Sequence, residues 1–185
     1  MLPSPPPGER SPGWTAALLL LLLASLVPGC PRAPQPCQDP TNEGICFCPL
    51  GISCHHICGD SVGHCTLGCS QANPNCSVSC GQDCTALCAG AGLCDVSCGD
   101  NCNVSCEGVK QRCAAVVGTT SRVNCEGAAD CEVTCHGSCT VSCPLGHCRL
   151  RCLPAQDCDM DCGGDGTHEH PLVCPDGTRV CNRRC

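Results

Sequence analysis

The chain is nearly without aromatic residues. It has no Tyr, one Trp (Trp14) and one Phe (Phe47) in 185 residues. Aromatic side chains supply much of the buried area of ordinary cores, so an ordinary core is excluded. Basic residues are also scarce: 10 Lys and Arg face 17 Asp and Glu, for a net charge of −7. Loss of residues 1–29 removes Glu9 and Arg10 together and leaves that charge unchanged. An acidic surface with no basic stripe and no stacking rings disfavours phosphate backbones, so nucleic acid is not an expected partner. H-E-x-x-H does not occur, and the one G-x-S-x-G match, Gly59-Asp-Ser61-Val-Gly63, is followed by the next cysteine phrase rather than by the helix of a nucleophile elbow. The expectation is that the protein is not an enzyme.

What the chain does have is 29 cysteines, about one residue in six. Such density in a short exported chain reads as a disulfide scaffold. Each bridge typically contributes ~2–4 kcal/mol by restricting the unfolded chain, which offsets the missing apolar core. The cysteines follow one phrase, Cys-x-Φ-x-Cys with an apolar centre. It reads Cys76-Ser-Val78-Ser-Cys80, Cys84-Thr-Ala86-Leu-Cys88, Cys94-Asp-Val96-Ser-Cys98 and Cys102-Asn-Val104-Ser-Cys106. It resumes as Cys131-Glu-Val133-Thr-Cys135, Cys139-Thr-Val141-Ser-Cys143, Cys148-Arg-Leu150-Arg-Cys152 and Cys158-Asp-Met160-Asp-Cys162. Spacing of two puts the three named residues on one face of a β-strand.

Phrases begin at 54, 65, 76, 84, 94, 102, 113, 121, 131, 139, 148 and 158, and alternate starts in the regular part lie 17 to 19 residues apart. That period predicts a coil of two strands repeated about six times. Short connections (Gly81-Gln-Asp83, Gly99-Asp-Asn101, His136-Gly-Ser138) alternate with longer ones (Ala89-Gly-Ala-Gly-Leu93). Gly, Asn and Asp there supply the positive φ that sharp arcs need. Residues 76–106 and 131–162 align cysteine for cysteine, as a duplication would. Between them, Cys113-Ala-Ala115-Val-Val117 and Ser121-Arg-Val123-Asn-Cys125 lose the two cysteines that flank one short arc. A paired loss removes one whole bridge and strands no thiol. Bridges Cys80–Cys84, Cys98–Cys102 and Cys135–Cys139 are therefore predicted, provided their Cα atoms lie within about 7 Å.

The expected fold is all-β: a disulfide-stapled, two-sided β-solenoid of short strands, with parallel coils ~4.8 Å apart. The alternative is a disulfide-rich antiparallel β-meander, because three-residue connections also make hairpins. The expected organisation is a signal peptide at 1–29, a Pro-rich tether and N-terminal cap at 30–53, the repeat domain at 54–162 and a C-terminal cap at 163–185.

The apolar run from Thr15 to Val27 is short for a membrane span and is followed at once by Pro28-Gly29-Cys30, as in a cleaved signal peptide. Leu26-Val27-Pro28-Gly29-Cys30 resembles the lipobox of bacterial lipoproteins, although Pro28 departs from it. The resemblance implies that Cys30 becomes the new amino end and carries a lipid. Ordinary cleavage after Gly29 is the competing reading. Setting Cys30 aside leaves 28 cysteines, an even number, in agreement with the lipobox. The repeat together with this signal resembles cysteine-rich exported lipoproteins of myxobacteria. That similarity covers residues 54–162 and implies an outer-membrane or cell-surface location, otherwise periplasmic or secreted. A weaker similarity is to the disulfide-braced β-helices of insect antifreeze proteins, but the regular Thr ladder of that group is missing.

Metal storage is the main rival function. Thiolate clusters of the metallothionein kind use C-x-C and C-C, whereas the only C-x-C here is Cys46-Phe-Cys48. His55-His56 and His168-Glu169-His170 are candidate copper or zinc ligands, and read more simply as exposed loop histidines. His56 sits at the centre of a strand phrase and should point inward. Asp157, Asp159, Asp161 and Asp165 resemble the opening of a calcium loop, but Cys162 and His168 stand where that loop needs Gly and Glu. No metal or cofactor is expected. The sequence thus reads as a non-catalytic envelope protein, structural or surface-interacting, held to a membrane through an N-terminal lipid. A protein or glycan partner would meet its small polar outward residues, and metal sequestration in the envelope is the alternative.

Overall fold

The computed structural model describes residues 45–58, 64–71, 73–153, 158–163 and 169–185, together with the backbone of 35–36. No described residue is helical. In chain order the strands are β1 (Gln35–Pro36), β2 (Ile45–Phe47), β3 (Cys54–Cys58), β4 (Thr66–Gly68), β5 (Asn75–Cys80), β6 (Thr85–Leu87), β7 (Leu93–Cys98) and β8 (Asn103–Ser105). They continue as β9 (Arg112–Val117), β10 (Ser121–Asn124), β11 (Cys131–Cys135), β12 (Cys139–Ser142), β13 (Cys148–Cys152), β14 (Cys158–Asp161), β15 (Leu172–Val173) and β16 (Arg179–Cys181). Each of the twelve phrase positions from 54 to 158 carries a strand.

The strands sort into two sheets. One has nine strands in the order β1-β3-β5-β7-β9-β11-β13-β16-β15, and the other seven in the order β14-β12-β10-β8-β6-β4-β2. Consecutive strands never pair within the repeat. Each strand pairs with the one two places on, always in parallel. The chain therefore winds as a β-solenoid of six full coils from β3 to β14, and the antiparallel meander is excluded. Among the described residues, antiparallel pairing is confined to the C-terminal end, where β16 pairs with β13 and β15 pairs with β16. This hairpin covers an edge of the larger sheet that would otherwise be left open.

The register explains why the repeat takes this form. Cys54, Cys76, Cys94, Cys113, Cys131 and Cys148 are stacked partners. So are His56, Val78, Val96, Ala115, Val133 and Leu150. On the other sheet, Leu67, Ala86, Val104, Val123, Val141 and Met160 form the matching column. All of these apolar central residues are buried, at 3% exposure or less. The interior is thus a narrow double file of Val, Ala and Leu, walled at both ends by sulfur.

Two kinds of arc join the sheets. Three of the short arcs begin with glycine, Gly81, Gly99 and Gly118, and there positive φ falls on the third residue, at Asp83, Asn101 and Thr120; in the arc 136–138 it falls on Gly137. The leading glycines serve a different end, which is close stacking. Gly99 N–H donates to Gly81 O at 2.7 Å and Gly118 N–H to Gly99 O at 2.8 Å. In the long arcs, positive φ is found at Gly90, Gly108, Gly127 and Leu145.

The N-terminal boundary of the repeat differs from the sequence reading. β2 lies in the region assigned to the tether and cap, yet it pairs in parallel with β4, and Cys48 bridges to Cys54. The shorter sheet therefore begins nine residues before the first expected phrase. Cys46-Phe-Cys48 carries only half of the repeat signature, so sequence spacing did not mark it.

Candidate functional site

Twelve disulfides join pairs of described cysteines, and Cys46 is also disulfide-bonded. This extent of bonding is consistent with an extracellular or otherwise oxidising compartment. Ten of the bridges form two columns. The long-arc column comprises Cys48–Cys54, Cys69–Cys76, Cys88–Cys94, Cys106–Cys113, Cys125–Cys131 and Cys143–Cys148. The short-arc column comprises Cys58–Cys65, Cys98–Cys102, Cys135–Cys139 and Cys152–Cys158. Cys162–Cys181 and Cys174–Cys185 fasten the C-terminal end. Every long arc in the repeat is closed, whereas two of the six short arcs are not.

One open short arc is held by Val117 and Ser121, as the paired cysteine loss implied. Both are buried, and Ser121 Oγ accepts a hydrogen bond from Cys102 N–H at 3.1 Å. The other is a correction. Cys98–Cys102 and Cys135–Cys139 are bridged, with Cα atoms 6.4 and 6.2 Å apart, but Cys80 and Cys84 are free, buried thiols. The reason is the direction of the Cys80 side chain. It turns up the stack, so that its Sγ lies 3.1 Å from Cys98 Sγ. Cys84 Sγ in turn lies 3.5 Å from Gln82 O. Burial and hydrogen bonding to Cys84 push the Cys80 thiol well above the usual range for cysteine.

The outer faces are polar and shallow. On the shorter sheet, Thr85, Asn103, Arg122 and Thr140 form one outward row, and Leu87, Ser105, Asn124 and Ser142 the other. A trough of about 310 Å3 runs between them. The first row continues to Thr66 and Asp159 at its ends, so Thr is interrupted by Asn, Arg and Asp. On the larger sheet, Arg112 pairs with Asp95 at 3.2 Å, an exposed contact worth little to stability. Arg149 lies beside a hollow of about 350 Å3 formed with Cys174, Pro175, Asp176, Thr178 and Cys185. Asp176 is held below the usual carboxylate range, first by the Thr178 N–H and hydroxyl and in smaller part by Arg149.

Among the described residues, the candidate metal ligands do not assemble into open sites. His55 and His56 fall on opposite faces of β3. His55 is exposed, with Nδ1 2.9 Å from Ser77 Oγ, and His56 points inward. His56 Nε2 is buried and has no hydrogen-bond partner. It lies within 4.8 Å of the Cys48 and Cys54 sulfurs, but those sulfurs are bonded to each other. Other close sulfur groups, such as Cys76, Cys88 and Cys94, are likewise neighbouring bridges. Asp161 Oδ1 accepts from Gly163 N–H and Glu169 N–H, at 2.9 and 3.2 Å, and so caps a turn. Asp159 is exposed. His168, Asp157, Asp165 and the expected lipid-bearing Cys30 lie outside the described residues. No helix among the described residues is long and apolar enough to cross a membrane.

Comparison with protein-family models, with curated proteins and with solved structures finds no match.

Two features here had no sequence signal. Cys80-x3-Cys84 and Cys98-x3-Cys102 have identical spacing, so spacing alone cannot tell the open arc from the closed one. Asn73 is buried and accepts from Ser70 N–H at 2.7 Å and from Ser70 Oγ at 3.0 Å. It donates to Pro49 O at 2.7 Å and to Ile52 O at 2.9 Å. It pins one coil's turn to the loop of the coil before, and no repeat marks it.

Proposed function

We propose that the protein is an exported, lipid-anchored and non-catalytic component of the cell envelope, a stapled rod that presents a polar surface. The observation that carries this reading is the interior, in which two columns of disulfides flank a file of small apolar residues. Such a core supports stiffness and resistance to proteolysis, because each bridge restricts the unfolded chain. It leaves little space for chemistry. The hollows of about 310 and 350 Å3 are open depressions on outer faces, whereas small-molecule sites are concave and bury most of their ligand. The anchor rests on the likeness of Leu26–Cys30 to a lipobox. The partner would be a protein or glycan able to lie along the rows of Ser, Thr and Asn.

Metal sequestration remains the second reading, supported by the unbridged Cys80 and Cys84. Circular dichroism and limited proteolysis in a thiol reductant, or in a strong chelator, separate the two. The rod reading expects the solenoid to be lost in reductant and untouched by chelator; the reverse pattern overturns it. The anchor is tested separately with Cys30→Ala, which should release the protein from the membrane fraction.

A further inference from the structure

Cys80, Cys84, Cys98 and Cys102 occupy two successive short arcs. Cys80 is the ladder partner of Cys98. Cys84 precedes Thr85 just as Cys102 precedes Asn103, and those two residues are partners. Only the upper arc is bridged, and the two free thiols among the described cysteines are both in the lower one. A thiol and a disulfide are therefore in direct contact, Cys80 Sγ to Cys98 Sγ at 3.1 Å. Cys102 Sγ lies within 4.8 Å of both, and Cys84, the second free thiol, stands at the other end of the arc that Cys80 begins. Above them the sulfur column is interrupted by Val117 and Ser121, which close the next arc without cysteine.

We propose that these four cysteines form a thiol–disulfide exchange site in which one disulfide is shared between two coils. In the first step, the Cys80 thiolate attacks Cys98 Sγ. The Cys80–Cys98 bond forms, the Cys98–Cys102 bond breaks, and Cys102 leaves as a thiolate that takes up the proton Cys80 released. In the second step, the Cys84 thiolate attacks Cys80 Sγ. Cys80–Cys84 forms, Cys80–Cys98 breaks, and Cys98 leaves and is protonated in turn. One bond forms and one breaks each time, so no oxidant is consumed. The disulfide moves down one coil and leaves Cys98 and Cys102 as thiols. A low-molecular-weight disulfide, RSSR, can then oxidise the remaining pair to a second bridge and depart as two RSH. The attacking group must be a thiolate. Burial of Cys80 keeps it protonated near neutral pH and makes the exchange slow.

The test is acid-quenched alkylation of the full chain with a maleimide, followed by an aspartate-specific protease. Asp83, Asp95 and Asp100 separate the four cysteines from one another. Two labels are expected within this quartet, divided among the pairs Cys80 with Cys84, Cys84 with Cys102, and Cys98 with Cys102. In Cys84→Ser, a single label within the quartet should divide between Cys80 and Cys102. The Val117/Ser121 coil shows that an arc without a bridge is compatible with the fold, and circular dichroism checks this for the variant. Label confined to Cys80 and Cys84 at every pH and incubation time overturns the proposal. If the isolated protein takes no label, one equivalent of a dithiol reductant is added. Thiols should then appear first within this quartet, and their first appearance at any other bridge overturns the proposal equally.

Discussion

Val117 and Ser121 face each other across a short arc, both buried, at the place where the coils on either side hold Cys98–Cys102 and Cys135–Cys139. A Val methyl and a hydroxyl bonded to Cys102 N–H fill the position of two sulfurs. The solenoid therefore does not need a bridge at every arc, because ladder hydrogen bonds and the Val/Ala file hold each coil to its neighbours. The arc also offers a site for a new bridge. Neighbouring arcs of the same length place their Cα atoms 6.2–6.4 Å apart, within bridging range. Val117→Cys with Ser121→Cys is expected to form a disulfide. A loop this short is worth about 2 kcal/mol in the chain-entropy treatment, less the packing of the lost Val methyl. The check is denaturant unfolding without reductant, with thiol counting. Two additional free thiols and no gain in midpoint would oppose it.

Gly81, Gly99 and Gly118 stack so closely that a Cβ on Gly99 would sit 2.7 Å from Gly81 O. That oxygen belongs to the backbone and already accepts from Gly99 N–H. Gly99→Ala is expected to push the two arcs apart and to destabilise by about 1–3 kcal/mol, the usual range for overpacking. Gly108 provides the contrast. Its φ is +60°, and nothing lies within 4 Å of an added Cβ. Gly108→Ala should cost only the left-handed backbone strain, about 1–2 kcal/mol. Asn tolerates that conformation, so Gly108→Asn should recover most of the loss while Gly99→Asn recovers none. Urea unfolding of the four variants reads this directly.

Much of this arrangement is legible in the residues. Cys131-Glu-Val133-Thr-Cys135 has only one reading as a strand, because Glu132 and Thr134 must face out when sulfur and Val face in. Repetition near 18 residues then makes the neighbour above a copy, and parallel winding follows. Two kinds of feature escape such reading. β2 and the β15–β16 cap lack the full Cys-x-Φ-x-Cys phrase, so no period marks them. The state of Cys80 and Cys84 depends on which way a side chain turns within its arc, and two arcs of identical spacing differ in that respect. The Cys80–Cys84 bridge inferred from pairing was wrong for this reason.

Asn73 is the clearest single-residue prediction outside the repeat. All of its polar atoms are engaged, with two bonds to Ser70 and one each to Pro49 and Ile52. Asn73→Ala strands two carbonyls and an N–H in a part-buried site, at about 1–3 kcal/mol for an unsatisfied buried group. Asn73→Asp keeps the acceptor but aims a carboxylate at the carbonyls of Pro49 and Ile52, and is expected to be at least as damaging. Hydrogen exchange should locate the loss in the first coils and leave amides beyond residue 113 protected. Uniform loss along the whole stack would show that Asn73 is not a local pin.

His56 occupies the central column where every later coil of the larger sheet carries Val, Ala or Leu. Its Nε2 is buried without a partner, and its pKa is lowered, first by burial and then by the neighbouring His55. The Cys48–Cys54 bridge beside it carries no charge that could favour the imidazolium. The native pKa lies below the ordinary value of about 6.5, so below pH 6.5 the unfolded chain binds a proton that the native chain refuses. Stability should therefore be complete above that pH and fall as the solution is acidified, until the native pKa is passed. His56→Val removes the titrating group and restores the column. The variant is expected to be more stable than the parent at pH 5, with a flatter profile between pH 7 and pH 5. Guanidinium unfolding across that interval is the measurement, and equal slopes for the two proteins would mean that another group sets the acid sensitivity.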